Sequence, residues 1–525
     1  MSKGTYSFTT PIYYVNAAPH LGTAYTTVAA DTVARYQRMN GYDVAFVTGL
    51  DEHGQKVAET AEKNGMTPQQ WCDSMVPAFK ESWDLLNITY TDFVRTTEDR
   101  QTRTVQKFWT DLYKKGFLYK SAYEGWYCVH EETYYAESDL EKNEEGQFVC
   151  PDCKRPVRRA SGEENWFFKL SAFQNKLLDY YESHPDFIRP ESRKNEIVSF
   201  VKGGLQDLSI SRSTFDWGIP LPFDKGHVCY VWADALLAYL TGIGYADDDK
   251  RAGEFEARWP MQYHFVGKDI TRFHCVIWPA MLMAAGLPIT HTVFGHGFLL
   301  TKGEKMSKSR GNGLRPADLI KIFGVDAYRY YFMTDVRFGM DGDISMERMV
   351  QVYNADLANT WGNLVSRVPG MNDKYFDGVV PNASPTASNP LKDIAEIIYP
   401  EYDAAMARVD FTQAASVVQK LAHRANAYID ETEPFRMAKD PEKREELAQV
   451  MYNLLETIRI IALFMAPLMP NTSAEVYRRL GLGAIDGIVD IEKAAAWGQL
   501  PFGNRVEKGE ALFPRLDESL IEIED

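Results

Sequence analysis

The chain has 525 residues, 45% of them hydrophobic and 13% aromatic, so it can bury more than one core and is not a disordered polymer. Its formal charge of −16 argues against a protein that coats nucleic acid indiscriminately, yet it leaves room for a local basic surface that meets a structured RNA. The first residues, Met1 to Gly4, lead straight into a strand without an apolar leader. The longest apolar run, Ile460 to Leu468, is too short to cross a bilayer and contains Pro467, so the reading is a cytoplasmic protein with no membrane segment.

In chain order, Tyr6 to Thr10 is rich in β-branched and aromatic residues and predicts a strand. Tyr25, Val28, Ala29 and Tyr36 share one helical face until Gly41, and Asp43 to Thr48 predicts a second strand, giving a βαβ unit. Its turn is Pro19-His20-Leu21-Gly22-Thr23. Gly22 allows close backbone approach, the helix N-terminus supplies unpaired amides and positive potential, and His20 adds a donor, a combination suited to nucleotide phosphate. At the carboxyl end of the second strand, Asp51 is placed to hold an amine or a ribose, or else to cap the helix starting near Gln55.

From Thr67 to Gly116 the pattern is helical, with Trp83, Leu85, Leu86, Phe108, Trp109 and Leu112 as core. A Tyr-rich, acidic texture then starts and carries Cys128, His130 and the Cys150/Cys153 C-x-x-C pair. Three cysteines with His130 or Glu131 as a fourth ligand suit zinc, while a knuckle held by packing alone reads equally well. Val228 to Trp232 predicts a buried strand, and Trp232, Ala235 and Tyr239 fall on one helical face that fits core or pocket. Met261 to Val266 predicts another strand, followed by Asp269 and His274 at a helix start. Thr292 to Leu300 delivers the chain to Lys305-Met306-Ser307-Lys308-Ser309, bounded by Gly303 and Gly311. Two lysines among small hydroxyl residues make a cationic loop able to close over polyphosphate, or a solvated basic turn. Beyond Arg315 the chain reads as long helices to about Leu480.

The turn at His20-Leu21-Gly22-Thr23 and the Lys305–Ser309 run, in this order and separated by an insertion, resemble the HIGH and KMSKS signatures of class I aminoacyl-tRNA synthetases. Over nearly its whole length the chain is similar to the methionyl-tRNA synthetases. That resemblance implies an α/β fold: a Rossmann-type parallel-sheet catalytic domain in two halves, 1–115 and 226–343, an inserted connective module with a zinc-knuckle-like part at 116–225, and a C-terminal α-helical anticodon-binding bundle with its tail at 344–525. It implies His20, Lys305 and Lys308 as catalytic residues, which bind ATP together with Gly22, Thr23, Ser307 and Ser309. It implies a methionine pocket of Ile12, Tyr14, Asp51, Trp232, Ala235, Tyr239, Asp269 and His274, with Asp51 on the ammonium group.

For the anticodon the resemblance implies Asn363 and Arg367 as hydrogen-bonding groups and Phe435 as a stacking ring; for zinc it offers Cys128, His130, Cys150 and Cys153. The implied partners are ATP with Mg²⁺, L-methionine and tRNA(Met), including the initiator, acting on a monomer. Two residues depart from the family pattern: Thr23 stands where a second His is usual, and Phe435 where Trp is usual. Among rivals, a class I synthetase for valine, isoleucine or leucine needs a larger editing insertion than Gly116 to Lys225 can hold. A small-molecule nucleotidyltransferase would have no use for the helical tail after Asp343.

Overall fold

The computed structural model describes residues 3–128, 133–135, 137, 140–143, 145–151, 153–247, 251–301, 303–305 and 315–517. Its centre is a six-stranded sheet of β1 (Thr5–Tyr14), β2 (Asp43–Asp51), β3 (Asp92–Arg95), β4 (Ile188–Arg189), β5 (Tyr263–Gly267) and β6 (Thr292–His296). The strand order is β3-β2-β1-β5-β6-β4, and every neighbouring pair is parallel. Apart from Asp43 every residue of β2 is buried, and all of β6 is, as expected of strands covered on both faces. The order reverses between β1 and β5, so a ligand crevice opens at the carboxyl edge there.

Helix α1 (Leu21–Met39) follows β1, and α2 (Gln55–Lys63) follows β2. Midway along α1, Asp31 forms an ion pair at 2.7 Å with Arg329, both side chains being fully buried. Arg329 also donates to the carbonyls of Leu86, Pro467 and Leu468, which fastens the sheet to the helical region. Burial alone would raise the Asp31 carboxyl, but Arg329 and Arg35 together hold it down to about 2.

In sequence, between the first and last strands of this sheet, comes a second, antiparallel one, in which Leu118–Cys128 runs against Arg158–Phe168, flanked by Thr133–Tyr135 and Leu208–Ser209. The C-terminal region is helical, with long helices at Pro390–Ala407, Phe411–Thr432 and Arg444–Met465. Among the described residues, one helix, Pro441–Met465, is long and apolar enough to span a bilayer by length and composition, and 94% of its apolar window is buried inside the fold. It is the central helix of the bundle, where all-round hydrophobicity is required for packing.

Four local expectations differ from the structure. Leu85, expected in the core, is 44% exposed. The stretch from Thr67 to Gly116 is not continuously helical: Asn87 takes a left-handed conformation and β3 follows, pairing with Val47–Leu50 of β2. Four residues at a sheet flank carry too little alternation to announce a strand. The strand expected at Val228–Trp232 ends at Cys229, and a short helix, Val231–Ala235, begins after Tyr230. An unbroken apolar run fits either state, and here tertiary packing decided. Asp269 and His274 do not open one regular helix. A 3₁₀ turn at Lys268–Ile270 and a π turn at Phe273–Ile277 precede Trp278–Ala285.

Candidate active site

At the start of α1 the His20 ring is the helix cap. Its Nδ1 accepts from the amides of Gly22 (3.1 Å) and Thr23 (3.4 Å). A nitrogen that accepts carries no proton, so the neutral ring holds its proton on Nε2. Thr23 returns the bond: its hydroxyl accepts from the His20 amide (2.9 Å) and donates to the His20 carbonyl (2.7 Å). The Thr23 hydroxyl is therefore spent on a capping box, a role its place in the motif did not announce. A Cβ on Gly22 would lie 3.0 Å from the His20 ring, so the glycine serves the cap as well as close approach. No acidic residue sits in the first turn of α1, which keeps the positive end of the helix available to an anion.

One turn further on, Thr26 Oγ1 lies 2.6 Å from His296 Nε2, at the carboxyl end of β6. After β6 the chain makes the hairpin Leu299–Thr301 with Glu304–Lys305, steadied by Asp343, whose carboxylate accepts from the Gly303 amide at 3.0 and 3.1 Å. Because the sheet is parallel, α1 and this hairpin both leave its carboxyl edge. The backbone of Lys305 closes the hairpin; Ser307, Lys308 and Ser309 lie outside the described residues, as does the Lys305 side chain.

Beside that edge is an aromatic cluster that could wall a pocket. Asp51 ends β2 opposite Tyr14, and Tyr14 donates to the carbonyl of His53. Burial, with a smaller contribution from the Asp51 carboxylate, pushes the Tyr239 hydroxyl above its ordinary range. His274 Nδ1 must donate to the Ile270 carbonyl (2.9 Å), so Nε2 accepts from the Tyr239 hydroxyl (2.7 Å). The ring is neutral, and burial lowers its pKa to about 4. By the same logic His264 accepts from Trp278 at Nε2 and meets Thr9 at Nδ1, and burial holds it well below the usual histidine range.

Trp232 stacks on Phe273 at 3.9 Å, with the edge of His274 beside it. Ile12, Tyr14 and Trp232 are each partly buried against the core that includes Tyr239, while Ala235 is buried. The result is a cluster of neutral aromatic rings beside the end of β2, where Asp51 is buried. Asp269 is exposed nearby, its carboxylate so close over Gly267 that a Cβ there would come within 2.5 Å.

The structure brings in groups that the sequence did not single out. His53 meets the buried Asp234 at 2.6 Å, and Trp217, from the segment returning from the insertion, donates to the Glu52 carbonyl at 2.6 Å. Only the Asp-Glu-His-Gly run itself could have drawn notice, because the partners are more than a hundred residues away.

In the inserted module the sulfurs of Cys128, Cys150 and Cys153 all lie within 4.8 Å of one another, with Cys128 and Cys153 3.5 Å apart. Tetrahedral zinc with ~2.3 Å bonds needs sulfurs about 3.8 Å apart, so the trio fits three corners of such a site. His130 lies outside the described residues.

In the helical region, Asn363 opens the helix Asn363–Phe376 just after a π-helical stretch, Tyr353–Gly362. Arg367 pairs with Asp430 at 3.6 Å, five residues before Phe435, whose ring is 46% exposed. A cavity of about 440 Å³ is lined by Asn359, Asn363 and Ser366 on one side and Phe513, Pro514 and Arg515 of the returning tail on the other. The tail is tied down by Asn354, whose amide exchanges two bonds with the Leu516 backbone.

A family model described as "tRNA synthetases class I (M)" matches residues 6–369, and one described as "Anticodon binding domain of methionyl tRNA ligase" matches residues 380–523. The chain belongs to the methionyl-tRNA synthetase family. A methionine–tRNA ligase of Streptomyces coelicolor is 48% identical over 526 residues, covering 98% of this chain and 97% of that one. The Caldanaerobacter subterraneus enzyme of the same name is 47% identical over 522 residues, covering 98% and 79%. The Mycobacterium tuberculosis methionyl-tRNA synthetase in complex with methionyl-adenylate superposes with a TM-score of 0.92 at 38% identity, over 98% of this chain and 100% of that one. Its free form gives 0.85 at 35% identity over 98% of each.

Proposed function

We propose that this chain activates L-methionine with ATP and transfers the methionyl group to the 3′ end of tRNA(Met), the initiator included, as a monomer in the cytoplasm. One observation carries the reading: an anion-ready helix N-terminus capped by His20 and an uncharged aromatic pocket bordered by Asp51 open at the same edge of one parallel sheet.

In the first step the methionine carboxylate attacks the α-phosphate of ATP and pyrophosphate leaves; in the second, a ribose hydroxyl of the tRNA takes the methionyl group and AMP leaves. No side chain acts as nucleophile, so the protein supplies position and charge. His20 Nε2–H, the Gly22 turn and the lysines at 305 and 308 stabilise negative charge growing on the leaving phosphates, with Ser307 and Ser309 beside them and Mg²⁺ travelling with the triphosphate. Asp51 holds the ammonium group and so aims the carboxylate at phosphorus. Tyr239, His274, Trp232, Ala235, Ile12 and Tyr14 receive the thioether, and a neutral pocket is what an unbranched apolar side chain requires. Such a wall discriminates by only ~1 to 3 kcal/mol per methylene. Asp269 meets the ribose or the amino-acid network.

The division of labour follows the chain: 1–115 and 226–343 perform activation, 116–225 supports it, and 344–525 reads tRNA. There Asn363 and Arg367 hydrogen-bond anticodon bases and Phe435 stacks one. Cys128, Cys150 and Cys153, with His130 as fourth ligand, would hold zinc, which would tie the end of the Leu118–Cys128 strand to the Cys150–Cys153 turn. The test is exchange of labelled pyrophosphate into ATP, assayed separately with each standard amino acid. A response to methionine alone is expected. A response to a branched-chain amino acid instead, or to none, removes the proposal.

A further inference from the structure

Besides the Trp217 contact with the Glu52 carbonyl, the inserted module reaches the start of α2 and the Trp232 helix through one shared ring. Tyr127 immediately precedes Cys128 on the strand Leu118–Cys128 and is only 4% exposed. Two guanidinium groups lie over it, Arg158 at 5.3 Å and Arg212 at 5.6 Å from the ring centroid.

Each cation reaches a different wall. Arg158 donates to Gln55 Oε1 at 2.9 Å, at the first residue of α2, which begins just after the Asp51–Gly54 turn. Arg212 is buried and lies 4.4 Å over the ring of Tyr230, the cap of the helix that carries Trp232 and Ala235. The Arg212 strand also pairs with the one leading into that helix, and the Tyr230 amide donates to the Ile210 carbonyl at 2.9 Å. One aromatic ring thus meets both the cation bonded to the first residue of α2, directly after the Asp51 turn, and the cation stacked on the cap of the Trp232 helix.

We propose that Tyr127 is a positioning residue for methionine binding, and that it carries the state of the neighbouring cysteine cluster to the pocket. The first part rests on the methionine reading of the pocket, the second on the cluster holding a cation. Filling Cys128, Cys150 and Cys153 fixes the end of the strand, hence the plane of Tyr127, hence both arginines. Emptying the cluster lets that plane tilt, and the Asp51 turn and the Trp232 helix lose a common support.

The test measures methionine dissociation constants by equilibrium dialysis with labelled methionine. The proteins are the parent, Tyr127→Phe and Tyr127→Leu, each with its zinc content determined and each before and after chelation. Tyr127→Phe keeps the ring face and should bind methionine as the parent does. Tyr127→Leu, which cannot hold cations over a ring, should bind ~10-fold more weakly, with its zinc retained and its KM for ATP within about twofold of the parent. Chelation should weaken methionine binding in the parent and in Tyr127→Phe, but add nothing in Tyr127→Leu.

Equal affinity in Tyr127→Leu and the parent overturns the positioning role, and an equal chelation effect in all three overturns the relay. A parent without zinc removes the cluster reading and the relay with it, while the comparison of Phe with Leu still decides the positioning role. A parent that ignores methionine removes the reading of the pocket itself. If Tyr127→Leu does not fold, Arg158→Met, at an exposed position, tests the arm to Gln55, with a ~3-fold weakening expected and no weakening refuting it.

Discussion

Replacing His20 by asparagine separates two tasks performed by one ring. As the cap of α1, His20 accepts from the amides of Gly22 and Thr23; as the proposed donor, it presents Nε2–H to phosphate. Asparagine is as good an N-cap as any residue, so His20→Asn should change stability by no more than ~0.5 kcal/mol, whereas His20→Ala loses the cap at a cost of about 1 kcal/mol. Both variants lack the imidazole donor. Loss of one preorganised donor at a site of growing negative charge slows the chemical step about 100-fold, equivalent to ~2.7 kcal/mol of barrier. Rapid-quench measurement of adenylate formation, alongside methionine binding and urea unfolding, resolves the two effects. The expected result is a slow His20→Asn enzyme with parental stability and methionine affinity. Adenylate formation within threefold of the parent rate would refute the assignment of the ring to phosphate.

Other variants probe other levels of the account. Burial lowers the folded-state pKa of His274 to about 4, against 6.5 when unburied, so the unfolded chain binds more protons between these values. Stability should be fully present above about pH 6.5 and fall on acidification, losing about 2 kcal/mol between pH 7 and pH 5 from this group, with His264 acting in the same sense. Urea midpoints that do not move between those pH values would contradict the neutral pocket. Phe435→Ala should impair aminoacylation by about 10-fold or more through lost stacking, leaving pyrophosphate exchange intact; equal loss in both assays would deny a separate anticodon site. Arg329→Leu leaves the buried Asp31 carboxylate to Arg35 and Thr89 alone and unpairs the carbonyls of Leu86, Pro467 and Leu468, so it should cost about 3 kcal/mol in urea unfolding, and a change under 1 kcal/mol would show the pair to be incidental.

Much of this architecture was legible because it rests on local pattern. The βαβ unit, with apolar strands around an amphipathic helix and a His-Leu-Gly turn between them, lies where periodicity and glycine placed it. Trp232 and Tyr239 both lie against His274, Trp232 from a short helix where a strand was expected. What was illegible depends on partners far along the chain. Thr23 looked like a substitute phosphate donor because the motif invites that reading, and only the folded turn commits its hydroxyl to the His20 backbone. His296 drew no notice in the sequence, because its bond to Thr26 spans 270 residues. The tail at Phe513–Arg515 gained a place beside Asn363 only because the chain doubles back on the π-helical stretch. The strand β3 is four residues long, and its parallel pairing to β2 leaves no signature in its own composition.

The account stands on one triphosphate being gripped from two places, the capped start of α1 and the lysine run after the hairpin. A crystal structure with methionine and a non-hydrolysable ATP analogue tests this directly. It should show phosphate oxygens within about 3.2 Å of both His20 Nε2 and the Lys308 ammonium, with the methionine ammonium on Asp51. A triphosphate that contacts neither residue, or an analogue bound away from the carboxyl edge of the sheet, would contradict it.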